Sequence, residues 1–292
     1  MEFWLGASFV DAGEYLPLAT AADRLGYDVV AISDHLFHAD YEASYPYSET
    51  GAPPYPEGTH WPDAWVAIGA MAAATSRVRF ATNVYIAPAR DLFTVAKAVS
   101  TAAVLSGDRA ILGVGVGWCE DEFRQTGQDF RTRGKRLDEM IPALRALWKG
   151  GRVEHHGRFY DHGPLSIAPV PSEPVPVFIG GDSDVALRRA ARIGDGWIGN
   201  RIYKEDDLSD LLRRLKGHLA EHGRALDDLQ IIAPIAKRPS ADLYRKWRER
   251  GVTGTLAAPW WMPTDEEKAR LTGADLKIAS MERFAEEVIQ KM

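Results

Sequence analysis

Short apolar runs alternate with longer amphipathic stretches along this chain, and the alternation recurs eight times. Residues 3–8, 28–33, 79–84, 110–115, 175–180, 196–200, 230–236 and 253–258 are apolar runs rich in branched and aromatic side chains. Between them, residues 15–25, 63–75, 92–105, 134–148, 184–193, 206–222 and 241–250 carry helical spacing, with a last helix ending near Lys291. A strand covered on both faces reads as an unbroken apolar run, and a helix lying over it shows a single apolar stripe. This is the pattern of parallel βα units. Eight of them predict a closed (β/α)8 TIM barrel rather than an open sheet.

Two segments break the rhythm. Residues 34–62, after strand 2, hold Tyr41, Tyr45, Tyr47, Tyr55 and Trp61 among several prolines. Active sites of this fold lie where strands end and loops begin, so this insertion predicts a lid or pocket wall. Packing over the barrel rim is the structural alternative. Residues 150–174, after strand 4 and its helix, contain His155-His156-Gly157-Arg158-Phe159-Tyr160 and predict a hairpin. There is no repeat beyond the βα rhythm, no low-complexity tract and no linker. The 292 residues therefore read as one domain, 1–292, close to the ~250 typical of a single barrel.

Composition narrows the partners. With 46% hydrophobic residues the chain can bury a large core, and a net charge of −6 lacks the clustered positive charge that nucleic acid or an anionic membrane calls for. A small-molecule substrate is the expected partner. A single cysteine, Cys119, excludes an internal disulfide and a thiolate metal cluster. No metal site is expected. The N-terminus lacks a secretory pattern, and no apolar run approaches the ~18 residues of a membrane span, so the expected location is cytoplasmic.

Candidate chemistry sits at the strand ends. Ser33-Asp34-His35 follows the buried run Val29-Val30-Ala31-Ile32, which places a histidine able to exchange a proton near neutral pH at the barrel mouth. Asp34 could orient it or hold a ligand; a structural pair capping the loop is the alternative. Gly113-Val114-Gly115-Val116-Gly117-Trp118 is not a dinucleotide fingerprint, because Trp118 stands where the third glycine belongs. Glycines there would instead let a planar ring approach the backbone, with Trp118 as a rim residue. Gly180-Gly181 leads into a helix N-terminus, a natural phosphate cradle, although Asp182 and Asp184 would repel a phosphate unless turned away. Ser183 or Asp182 could equally cap that helix. His218-Leu219-Ala220-Glu221-His222 matches a zinc-peptidase pattern, but Leu208, Leu211, Leu212, Leu215 and Leu219 form the buried stripe and leave the histidines on a solvated flank.

Read together, these segments resemble the luciferase-like monooxygenase superfamily, and within it a short actinobacterial branch of coenzyme F420-dependent oxidoreductases. The carriers run in order. They are Ala21-Ala22-Asp23-Arg24-Leu25-Gly26-Tyr27-Asp28, Ser33-Asp34-His35, Tyr45-Pro46-Tyr47-Ser48, Ala81-Thr82-Asn83-Val84 and Pro88-Ala89-Arg90. Leu105-Ser106-Gly107-Asp108-Arg109 follows, then Leu112 to Trp118 with Glu122 after it, then Ile179-Gly180-Gly181 and Ala190 to Trp197. The resemblance implies a deazaflavin cofactor, with FMN as the alternative, and a homodimer. It places Asp34 and His35 beside the flavin-like ring, with His35 as proton donor. Asn83–Val84 would be a non-proline cis peptide backing that ring. Gly115, Val116 and Gly117 would flank it, and Gly180 and Gly181 would contact its phosphate. Tyr47, Trp61 and Trp118 are the expected substrate pocket.

This sequence departs from the superfamily's sugar-phosphate dehydrogenases. Trp118 stands where they carry a catalytic glutamate, and Ala39 where they carry a tryptophan, which argues against glucose 6-phosphate as substrate. The expected reaction is hydride transfer between coenzyme F420 and a small organic molecule. An FMN-dependent monooxygenase is the nearest alternative. A metal-dependent barrel hydrolase or lyase would need His, Asp and Glu at several strand ends, where only Asp34 and His35 qualify. A non-catalytic binding barrel is the remaining class.

Overall fold

The computed structural model describes every residue except 39–44, 46, 47, 49 and 54. Eight strands close into one barrel: β1 (Glu2–Gly6), β2 (Val29–Ile32), β3 (Arg79–Thr82), β4 (Ala110–Val114), β7 (Val177–Gly180), β8 (Gly196–Ile198), β9 (Gln230–Ile232) and β10 (Gly254–Ala257). Their order around the barrel is β1-β10-β9-β8-β7-β4-β3-β2, every neighbouring pair parallel. Seven fall within the expected runs, and β1 begins one residue earlier than expected, at Glu2.

Strand alternation divides those runs between two cores. Trp4, Val29, Ala31, Ala81, Ile111, Phe178, Ile198 and Ile232 fill the barrel lumen, so it is packed and not a pore. Their neighbours Leu5, Val30, Ile32, Phe80, Leu112, Ile179, Trp197 and Ile231 point outward against the helices. One glycine fixes the geometry where the site begins. A side chain on Gly113 would start 1.8 Å from the Thr82 carbonyl oxygen, so only glycine admits this approach of β3 to β4.

The helical layer consists of α1 (Tyr15–Leu25), α2 (Ala64–Ala73), α3 (Leu92–Ser106), α5 (Arg133–Trp148), α6 (Asp184–Ile193), α7 (Glu205–Glu221), α8 (Ala241–Arg248) and α10 (Gly273–Glu287). Asp63, Asp91 and Ser183 cap α2, α3 and α6 by accepting first-turn amides. Among the described residues no helix is long and apolar enough to cross a membrane. The α7 leucine stripe is buried as expected, but His218 is not solvated: its side chain is 12% exposed, with Nε2 3.5 Å from Asp184 of α6.

Besides α5, the stretch between β4 and β7 has two parts. The expected hairpin, β5 (Val153–His156) with β6 (Asp161–Leu165), is antiparallel, and its turn is tied to α5 by Glu139, which accepts the amides of Arg158, Phe159 and Tyr160. The other part, directly after β4, carries α4 (Glu120–Gln125) at the barrel mouth. A six-residue helix shows too little periodicity to be read from sequence. Another short helix, α9 (Asp265–Arg270), precedes α10.

Candidate functional site

The ends of β2, β3, β4 and β7 are neighbours around the barrel, so the four strand-end motifs form one continuous arc. Val84 is its hub. The Asn83–Val84 peptide is cis, as the resemblance implied. A side chain on Gly115 would begin 2.6 Å from Val84 Cγ2, and one on Gly180 would begin 2.7 Å from Val84 Cγ1. Gly117, at φ 78°, leaves the room taken by Ile86, whose Cγ2 lies 2.6 Å from where a side chain would start. The glycines therefore make space for Val84 and Ile86, where the sequence reading assigned that space to a ring. Val116, half-buried, continues the β4 side of the arc.

Asp34 is buried with both oxygens engaged. Arg90 grips it through two nitrogens at 2.8 Å each, and the Ile86 amide donates to Oδ2 at 2.9 Å. Arg90 also lies over the Tyr85 ring, 4.2 Å from its centroid. Burial pushes the Asp34 carboxyl upward, opposed by Arg90 and the Ile86 amide. Burial likewise disfavours the Arg90 charge, but Asp34 outweighs it and raises the Arg90 pKa. A guanidinium keeps its proton in proteins, so the contact is an ion pair.

His35 stands at the centre of the mouth, its side chain 10% exposed. Nδ1 lies 3.1 Å from Glu122 Oε1, which also accepts the Leu36 amide at 2.6 Å. An ionised carboxylate only accepts, so this pairing assigns the hydrogen to Nδ1 and leaves Nε2 as the exchanging nitrogen. Nε2 lies 3.5 Å from the Tyr55 hydroxyl. Around the imidazole pack Trp61, Trp118 and Tyr55, with centroids at 4.9, 5.8 and 5.9 Å. Of the expected pocket residues, Trp61 and Trp118 are thus brought to His35, while Tyr47 lies outside the described residues. Cys119, beside Trp118, is buried, and burial pushes its thiol up to about 11, too high for a nucleophile near neutral pH.

Gly180-Gly181 opens onto α6 across the arc. Gly181 is at φ 109°, a conformation that favours glycine, and its carbonyl accepts Trp197 Nε1–H at 2.8 Å. Ser183 caps the helix through the Ala186 amide at 3.3 Å. The two acids that threatened an anion site are both paired. Asp182 is held by Arg201 at 3.0 Å and by the Tyr203 hydroxyl at 2.5 Å, and Asp184 by Arg214 at 2.8 Å. Among the described residues no cluster of His, Cys, Asp and Glu suits a metal ion.

Sequence reasoning left Arg90, Glu122 and Tyr55 without roles at the site. Arg90 and Glu122 stand in the sequence only within or beside the segments that carry the resemblance, and Tyr55 only among the aromatics of the insertion. The signal for all three was position, since each lies in a segment following a barrel strand and therefore near the mouth.

Known proteins resemble this chain in sequence and in fold. Residues 4–283 match the sequence profile of luciferase-like monooxygenases. An uncharacterised protein of Mycobacterium tuberculosis is 33% identical over 296 residues, covering 100% of both chains. A Beutenbergia cavernae protein named F420-dependent glucose-6-phosphate dehydrogenase is 31% identical over 281 residues, 94% of this chain and 75% of that one. The solved structure of the coenzyme F420-dependent tetrahydromethanopterin reductase of Methanopyrus kandleri superposes with a TM-score of 0.75 over 99% of each chain. At 15% identity that likeness is one of fold.

Proposed function

Because this chain belongs to the luciferase-like monooxygenase family, we propose that it is an oxidoreductase transferring a hydride between deazaflavin coenzyme F420 and a small organic substrate. The observation that carries the reading is the arc: an oriented histidine, a Val84-centred floor and an anion cradle lie on four adjacent strand ends. The F420-dependent relative favours the deazaflavin over FMN.

The residues present suit such a group. Pairing of Asp182 and Asp184 with arginines leaves the Asp184 and Val185 amides at the start of α6, behind Gly180 and Gly181, to meet a phosphate, the Ala186 amide being taken by Ser183. At the other end of the arc, Ser33 Oγ and Glu122 Oε2 are buried without a hydrogen-bond partner among the described residues. Polar atoms of a ring system would satisfy Ser33. Asn83, Val84, Gly115, Val116 and Gly117 would back the ring.

When bound, the cofactor supplies the carbon that gives or takes the hydride. The protein's part is the proton and the orientation. His35 Nε2 carries the proton to or from the substrate. Glu122 fixes the imidazole through Nδ1 and balances its charge when both nitrogens are protonated, as the carboxylate of a hydrolytic triad does. Asp34, occupied by Arg90 and Ile86, holds the loop that presents His35. A homodimer in the cytoplasm completes the reading.

Titration of the purified protein with each cofactor, followed by absorbance, tests this. Micromolar or tighter affinity is expected for the deazaflavin, and at least tenfold weaker affinity for FMN, a gap of ~1.4 kcal/mol. Preference for FMN would make the protein a flavin-dependent monooxygenase instead.

A further inference from the structure

The ring cluster over His35 contains a donor with nothing to donate to. Trp61 Nε1 is buried, and no described residue accepts its hydrogen. Tryptophans whose N–H is buried ordinarily find an acceptor, and leaving one unmet is costly. The ring itself is well held, with Tyr55 at 5.1 Å, Phe9 at 5.5 Å and His35 at 4.9 Å between centroids, all edge-on. The ring that carries the unmet N–H therefore packs directly on the proton-carrying imidazole.

The surroundings limit what can bring an acceptor there. Phe9 stacks on Tyr55 at 26° and is 38% exposed, so the cluster reaches solvent on that side. Trp118 and Tyr45, centroids 5.0 Å apart, add further rings, Trp118 against His35 and Tyr45 against Tyr55. Behind His35 the buried carboxylate of Glu122 opposes a second anion, and the charge of Arg90 is committed to Asp34. Rings on several sides favour a flat apolar body, and a single orphan N–H favours one acceptor on it.

We propose that this mouth takes an uncharged, flat ring compound carrying a carbonyl group, whose oxygen accepts the Trp61 Nε1–H hydrogen bond. This substrate class rests on the oxidoreductase reading above, for which a conjugated carbonyl is a fitting hydride acceptor. The indole N–H and His35 then converge on one oxygen, where negative charge develops as the carbonyl is reduced, and a fixed donor at that point stabilises it. A sugar phosphate, larger in charge and poorer in apolar surface, fits the ring cluster badly.

Calorimetric titration of the deazaflavin-loaded protein, and separately of the cofactor-free protein, with 1-indanone, its hydrocarbon indane and glucose 6-phosphate tests the inference. 1-Indanone is expected to bind at least about tenfold tighter than indane, the worth of one well-placed hydrogen bond. Trp61→Phe, which keeps a ring and removes the N–H, should erase that margin while deazaflavin affinity changes less than about threefold. Equal binding of 1-indanone and indane, or tighter binding of glucose 6-phosphate, overturns the proposal. So does Trp61→Phe weakening the deazaflavin itself, since the N–H would then serve the cofactor. Failure of the deazaflavin to bind the wild-type protein would instead overturn the cofactor reading, and the cofactor-free titration would still report on the ring cluster.

Discussion

At the scale of single residues, the site is governed by which atoms are already occupied. Asp34 and His35 are adjacent in sequence, yet Asp34 is saturated by Arg90 and Ile86 while His35 keeps Nε2 for exchange. Removing the exchanging nitrogen should therefore affect turnover far more than cofactor affinity. His35→Asn is expected to slow the proton-coupled step by ~10²–10⁴-fold, read by stopped-flow absorbance of the bound deazaflavin, with its Kd moving less than tenfold. Glu122→Gln keeps an oxygen acceptor for His35 and the Leu36 amide but loses the counter-charge, so a smaller loss is expected from it. Nitrogen NMR of His35 should show hydrogen on Nδ1 in the wild-type protein. Full turnover in His35→Asn would leave His35 as loop scaffolding.

At the scale of elements, polar side chains lock the βα units together where the apolar pattern is silent. Asp23, near the end of α1, accepts the amides of Ser76, Arg77 and Val78 at 3.1, 2.8 and 2.6 Å, joining α1 to the entry of β3. Slight burial works against the charge, but those amides outweigh it and lower the Asp23 pKa from 3.8 to about 2. A carboxylate whose pKa falls on folding stabilises fully above its unfolded pKa and loses that contribution as pH drops through the folded one. Asp23→Ala is thus expected to cost about 1 kcal/mol near neutral pH by urea denaturation. The gap from wild type should narrow as pH falls from 3.8 towards 2. A gap constant across that window would assign the loss to something other than the carboxylate charge. The ranges of the barrel strands and of the hairpin were legible because their apolar runs and turn residues are local signals. Helix α4, which brings Glu122 to His35, was not, because six residues carry no readable period.

For the whole molecule, the question is what covers the apolar surface outside the barrel. Val66 on α2 is 73% exposed and Leu105 on α3 is 70% exposed, with Leu16 on α1 also in solvent. A homodimer is the state expected from the family resemblance, and these helices offer apolar area for one. Light scattering coupled to size-exclusion chromatography should give the mass of two chains at micromolar concentration. A single-chain mass would remove the dimer and leave those side chains as scattered surface apolar residues.

The sequence by itself determined the eightfold βα rhythm, the single barrel, the position of Asp34, His35, Gly180 and Gly181 at its mouth, and the family. The rhythm, the barrel and the mouth positions depend on the spacing of apolar, glycine and titratable residues along the chain, which is a local property, and the family on the resemblance of motifs in their order. Which face of each strand points inward was not readable, since a run buried on both sides carries no alternation. Tertiary structure decided that Trp4 and Phe178 fill the lumen while Leu5 and Ile179 meet the helices. It also decided that the glycines of β4 and β7 admit Val84, that Asp182 and Asp184 turn to arginines, and that Glu122 reaches His35 across 87 positions. Those pairings join residues far apart in sequence, and only closure of the barrel brings their strand ends onto one arc.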